Sequence, residues 1–178
     1  MKKSILILVL LGVFTLGYAQ DAAKSMSSRK TITENVGSDS NLSALSEGLK
    51  KTPMGQRLEA KGKITYFAVT TDGFNKTLHR GIPKMMSEHY LPMLDKILNY
   101  HAVEGDLSFQ DLKNKIELGN GTAMLKTWNG ESLKLTFVDG KIIISDSTGN
   151  KATLIEADIK QSNGVVHIID TLLLPQGI

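Results

Sequence analysis

Apolar residues follow two rhythms along this chain, and the change falls near residue 119. In the first rhythm they recur every three or four positions. Leu42, Leu45 and Leu49 share one helix face, Ser40 or Asn41 can cap it, and Pro53 ends it, which predicts a helix from Ser40 to about Lys51. Leu91, Leu94, Ile97 and Leu98 form a second stripe, behind a Pro92 that a first helical turn tolerates, ending near Tyr100. Ser108-Phe109-Gln110-Asp111 resembles a capping box with Asp in the acid position and opens a short helix or turn. Residues 72–90 carry short helical signals around Phe74 to Leu78 and Lys84 to Tyr90. Ile64 to Val69 breaks this rhythm with the β-branched and aromatic bias of a buried strand.

The second rhythm is alternation. Leu133, Leu135 and Phe137 alternate with Ser132, Lys134 and Thr136, and further strands read at Lys141 to Ser145, Ala152 to Ile155 and within residues 163–175. Asn120-Gly121, Asn129-Gly130, Asp139-Gly140 and Asn163-Gly164 punctuate them with strong short hairpin signals, and Thr148-Gly149-Asn150 lies between the last two. Short strands at this spacing predict an antiparallel meander. Helices first and sheet afterwards is an α+β arrangement.

The front of the chain changes the domain picture. Met1-Lys2-Lys3 is a short basic start, Ile5 to Leu16 is an apolar run, and Gly17-Tyr18-Ala19 supplies small residues at a cleavage position. This is the pattern of a secretory signal peptide over residues 1–19, too short for a membrane-spanning helix. Residues 20–37 are polar and aperiodic and read as a flexible lead-in, leaving one domain over residues 38–176. The formal charge of +3 includes Lys2 and Lys3, so cleavage lowers it by two, to +1, and no concentrated basic run invites nucleic acid. With no cysteine, disulfides, thiol nucleophiles and lipid-modified cysteine anchors are excluded. Asn41, Asn75 and Asn120 each open a glycosylation-type triplet, a motif short enough to arise by chance.

Candidate chemistry is sparse. No Gly-x-Ser-x-Gly elbow occurs, Glu88-His89 lacks the second histidine of a zinc helix, and Met124 stands where a dinucleotide fingerprint starting at Gly119 needs glycine. His79 and His89 lie in polar stretches and read as solvated. His101 follows a helix end, where it can cap carbonyls or, when charged, favour the helix dipole. His167 and Asp170 sit inside an apolar run. His167 reads as a hydrogen-bonded core residue, and Asp170 must be paired, accept backbone N–H groups or face water. Trp128 reads as core or edge packing. No cofactor or metal is called for.

Three blocks resemble the fasciclin domain family. "ITYFAVTTDGF" (64–74) looks like its first block, through Phe67, Ala68, Thr70 and Phe74; "ILNYHAVEG" (97–105) carries its Tyr-His motif at Tyr100-His101; "ADIKQSNGVVHIIDTLLLP" (157–175) resembles its second block, through Asn163, Gly164, His167, Asp170 and Pro175. The resemblance implies a β-wedge or sandwich of antiparallel strands flanked by N-terminal helices. It also implies a non-enzymatic adhesion module, exported to the periplasm, the cell surface or the medium. Its partner would be a cell-surface or matrix protein or a glycan. In animal relatives adhesion is attributed to positions that here are Asp158 and Ile159, and Tyr100 and His101 with Ile97 and Leu98. Val69 replaces the usual proline of the first block and Gly73 stands where a larger residue is common, implying a looser exit from that strand. Two other classes stay open: an envelope protein binding a small ligand or polysaccharide in a concave site, and a hydrolase or metal enzyme built on His101, His167 and Asp170.

Overall fold

A computed structural model describes residues 26–59, 62–78 and 81–178. Residues 1–19, read above as a signal peptide, and His79 lie outside the described residues. The helices are α1 (Ile32–Val36), α2 (Ser43–Lys51), α3 (Pro53–Glu59), α4 (Thr71–Thr77), α5 (Ile82–Met85), α6 (Leu91–Tyr100) and α7 (Phe109–Leu118). The strands are β1 (Ile64–Val69), β2 (Ala102–Glu104), β3 (Ala123–Lys126), β4 (Ser132–Val138), β5 (Lys141–Ser145), β6 (Lys151–Gln161) and β7 (Gly164–Ile169).

The two leucine-rich stripes meet. Leu45 and Leu49 of α2 and Leu94, Ile97 and Leu98 of α6 are buried, and Gly48 lets the helices close up: a Cβ there would stand 3.4 Å from Leu98 Cδ1. The first turn of the expected Ser40–Lys51 helix is a 3-10 turn capped by Asp39, with α2 beginning at Ser43. Pro53 ends α2 and also opens α3, an element the sequence reading omits, through which Met54 and Leu58 enter the core.

The reading of residues 20–37 as a flexible lead-in does not hold for the described part, 26–37. Thr31 and Glu34 form a reciprocal capping box for α1, and Ile32 and Val36 have no exposed surface. Five residues cannot hold a helix alone in water, so the burial of these two side chains holds it.

The strands run in the order β2-β1-β7-β6-β5-β4-β3. From β3 to β7 each neighbour is antiparallel, as a meander requires, but β7 then lies parallel to β1, in register Phe67 with His167. β1 is buried at every position and β7 at all but Gly164, whereas β3, β4 and β5 alternate between inward and outward positions. The two edge strands approach one another: Val103 bridges Thr127, and the Trp128 N–H donates to the Ala102 carbonyl at 2.9 Å. The sheet therefore curls almost round on itself, giving the wedge.

Two Asx-Gly signals behave differently. Asp139-Gly140 makes the two-residue hairpin turn, both residues at positive φ (50° and 78°). Asn163-Gly164 does not. The turn there is Ser162-Asn163, and Gly164 is already the first residue of β7. Glycine is required because β1 passes so close that a Cβ would stand 2.0 Å from the Ile64 carbonyl oxygen.

Candidate functional site

The Tyr-His motif closes α6. Tyr100, Ile97 and Leu98 are buried, and the Tyr100 hydroxyl donates to the Ser132 carbonyl at 3.2 Å. His101 is 1% exposed, with both ring nitrogens engaged by backbone: Nδ1 lies 2.8 Å from the Ile97 carbonyl oxygen, and the Leu173 N–H donates to Nε2 at 3.2 Å. An N–H donor at Nε2 leaves the ring proton on Nδ1, so the imidazole is neutral. Burial pushes its pKa down to about 4, against the opposing pull of the Ile97 carbonyl and Asp146. The ring caps a helix carbonyl as expected, but carries no charge to offer the helix dipole. It joins the end of α6 to the C-terminal segment.

His167 makes a second joint of the same kind. The Asp158 N–H donates to Nδ1 at 3.2 Å, which places the proton on Nε2, and Nε2–H donates to the Leu107 carbonyl at 2.8 Å. The ring is fully buried and stacks on Phe67, with centroids 5.8 Å apart. Burial lowers its pKa, against the Leu107 carbonyl and the nearby carboxylates of Asp158 and Asp106. Thr65 pins the same loop from the neighbouring strand: its hydroxyl donates to the Gly105 carbonyl at 2.7 Å and accepts the Leu107 N–H at 2.9 Å.

Asp158 is the exposed member of this assembly. It sits at φ 62° in the irregular stretch of β6, and its Oδ1 accepts the Phe109 N–H at 2.7 Å at the start of α7. Among the described residues its Oδ2 carries no hydrogen bond. Ile159 is half-buried against the core. Of the six positions that the resemblance associates with adhesion, these two reach the surface. A partner could touch Tyr100, His101, Ile97 or Leu98 only by unpacking the core.

The remaining motif residues face inward. Phe67, Ala68 and Phe74 are fully buried, and Pro175 is buried. Thr70 caps α4 by accepting the Gly73 N–H at 3.0 Å. The exit from β1 is tight, contrary to the looser geometry expected from Val69 and Gly73. Val69 is 1% exposed and paired with Ile169, and a Cβ at Gly73 would meet the Asp170 carbonyl oxygen at 2.9 Å. Asp170 accepts the Thr153 N–H at 2.8 Å, fastening β6 to the end of β7. Asn163 is buried, accepts the Ile32 N–H at 3.1 Å and donates to the Leu58 carbonyl, joining α1, α3 and the β6–β7 turn.

Asp146 escaped the sequence reading. Its Oδ1 accepts the N–H groups of Thr148 and Asn150, each at 2.9 Å, and its Oδ2 accepts the Leu174 N–H at 2.8 Å. The Asp-Ser-Thr-Gly-Asn turn composition signals the local bonds, but nothing local signals the C-terminal one. His89 is exposed, and Trp128 is half-buried against the core.

The described residues contain no group of three His, Asp or Glu placed to share a metal ion. Two open grooves, of about 200 and 400 Å³, run beside α2 and share Ser46 and Lys50; their walls are mostly polar.

A fasciclin domain matches residues 40–175. The chain belongs to the fasciclin domain family. This fasciclin domain is 32% identical over 148 residues to protein sll1483 of the cyanobacterium Synechocystis, covering 83% of this chain and 75% of that one. It is 30% identical to mouse Stabilin-2, over 69% of this chain but 4% of that protein, and 25% identical to human Periostin, over 82% and 16%. The fold matches a FAS1 domain pair from the insect cell adhesion molecule Fasciclin I at a TM-score of 0.71 and 22% identity, covering 82% of this chain and 51% of that one. The fasciclin domain thus accounts for most of this chain and for a small part of the large animal proteins.

Proposed function

We propose that this fasciclin domain is a non-enzymatic interaction module, exported to the cell envelope or beyond, that acts by surface contact with a cell-surface, matrix or envelope partner. The observation that carries this reading is the engagement of both imidazoles. His101 and His167 each have both ring nitrogens hydrogen-bonded to backbone, so neither holds a free lone pair for a proton or a metal. The groups that looked most like a reactive set are the joints of the fold. The adhesion-molecule relatives and the apolar run after Lys3 support the rest of the reading. Among the described residues no helix is long and apolar enough to cross a membrane. Asp158, with a free carboxylate oxygen, and Ile159 are the family-suggested positions that a partner can reach.

Binding of the purified chain to a panel of cell surfaces, matrix proteins and glycans tests the module. Retention on at least one surface is expected, and retention on none overturns the reading. N-terminal sequencing of the exported fraction tests the leader, with Gln20 expected first and an intact Met1 refuting cleavage.

A further inference from the structure

Among the described residues nothing covers one face of the β3–β6 meander, and register gives it a composition that no stretch of sequence shows. Met124 pairs with Lys134, Lys134 with Ser145, and Ser145 with Lys151, so these four side chains form one row on one face. Lys126 with Ser132 and Val138 with Lys141 lie on the same face, as does the row Thr136, Ile143, Thr153. The opposite face carries the buried Leu125, Leu133, Leu135, Ile142, Ile144 and Ala152, which settles the orientation: the lysine face looks outward.

On this face each of the four strands carries one exposed lysine in these rows: Lys126, Lys134, Lys141 and Lys151. No Asp or Glu occupies any of the outward positions in these rows, and among the described residues none of the four lysines forms a salt bridge. Asp139 sits in the hairpin turn at one end. These rows therefore gather four lysines with no acid among them, the exposed Glu156 lying further along β6 past the bulge, and such a patch attracts anions.

We propose that this face binds a linear anionic polysaccharide, sulfated or carboxylated. The inference rests on the reading of the chain as an interaction module and names the chemistry of its partner. Lys134 and Lys151 are two strands apart, about 10 Å, and Lys126 lies diagonally from Lys134 at about 7–8 Å. That is the separation of one or two sugar rings along a glycan. Between the lysines stand Ser132, Thr136, Ser145 and Thr153, hydroxyls that both donate to and accept from sugar hydroxyls. Lysine is a rotatable point charge and places no planar demand on the acid, which suits a flexible polymer.

Two other polyanions fit less well. Nucleic-acid platforms stack bases on aromatic rings, and none of the paired outward positions holds one. A membrane surface needs a continuous apolar face to insert. Here Met124 and Val138 each stand opposite a lysine and Ile143 lies between two threonines.

The test is retention of the purified chain on beads carrying dextran sulfate or polygalacturonate, with neutral dextran as the blank. Retention is expected on at least one acidic polymer, lost as salt rises well above the physiological range, because screening acts on exposed charges. Reversing two charges with Lys134→Glu and Lys151→Glu lowers affinity by about tenfold or more, while Lys134→Arg with Lys151→Arg preserves it. Lys50→Glu, on α2, serves as the control and leaves binding unchanged. No retention of the parent chain on either acidic polymer overturns the proposal, as does equal weakening by Lys50→Glu. Tighter binding to phosphatidylglycerol vesicles or to a single-stranded oligonucleotide overturns it in favour of those partners. A chain that still binds cell surfaces, unaffected by the double reversal, removes the lysine face and leaves the module reading standing. A chain that binds no surface and no polymer removes both.

Discussion

The two halves of the sheet use polar residues in opposite ways. In the β2-β1-β7 half, both faces of the central strands are covered, and two polar side chains within it are fastened to backbone, His167 to Leu107 and Asp158 and Thr65 to Gly105 and Leu107, while the buried Tyr66 hydroxyl has no hydrogen-bond partner among the described residues. In the β3–β6 half, one face is open and its lysines, serines and threonines project into water. The recognisable family motifs fall largely in the covered half and its attachments. The unpaired lysines fall in the open half, while of the motif positions linked to adhesion Asp158 and Ile159, on β6, reach the surface. Most motif residues here are packed into the fold.

The contrast can be broken by substitution, and the covered half should respond most. Gly164→Ala forces a Cβ onto the Ile64 carbonyl, between two backbones that have no room to part. A loss of about 4 kcal/mol or more is expected, read as a collapse of the denaturant midpoint or of soluble yield. A mild effect would mean that β1 and β7 are less tightly joined than the structure shows.

Asn163→Ala comes next. It strands the Ile32 N–H and the Leu58 carbonyl, both at a buried junction. A cost of about 3 kcal/mol is expected from the two groups together. Measured by urea unfolding, a change no larger than that of an open-face variant would erase the distinction between the halves.

Acid gives a smaller and graded effect. His101 titrates at about 4 in the folded chain, against an ordinary value of about 6.5 in the unfolded one. The unfolded state therefore binds the extra proton as pH falls. Stability from this group is complete above about pH 6.5, declines from there towards pH 4, and by pH 5 has dropped by about 2 kcal/mol. His167, shifted in the same direction by burial, adds to the loss. Urea midpoints at neutral pH and at pH 5 measure the slope. His101→Gln should flatten it, and an unchanged slope would refute the assignment to His101.

The smallest effect belongs to the open half. Ile155→Thr alters a side chain that is 55% exposed on β6, and stability should stay within about 0.5 kcal/mol of the parent. A larger loss would show that this region is covered by something.

Much of the covered half was legible where the signal is local. β1 matches its expected bounds because six successive apolar, aromatic or β-branched residues leave few alternatives. The α7 capping box was readable from Ser108 and Asp111. What was missed depends on distant partners. α1 offers only Ile32 and Val36 as apolar residues, although Thr31 and Glu34 carry a readable capping box. β2 is three residues long and exists because β1 pairs with it. The parallel β1–β7 pairing joins segments a hundred residues apart, which no local pattern encodes. Asn163 was read as a turn residue when its side chain is a buried junction. The lysine face was hidden for a related reason: Lys126, Lys134, Lys141 and Lys151 are scattered in sequence, and register alone gathers them.

The meeting of Val103 with Thr127 has a consequence for life in a crowd. A sheet edge with unpaired N–H and carbonyl groups is a template on which a second copy can grow, and chains held together at a surface meet often. Here the terminal strands are three and four residues long and are tied to each other. Little backbone is left over to recruit a neighbour's strand, so a second copy finds little edge on which to add.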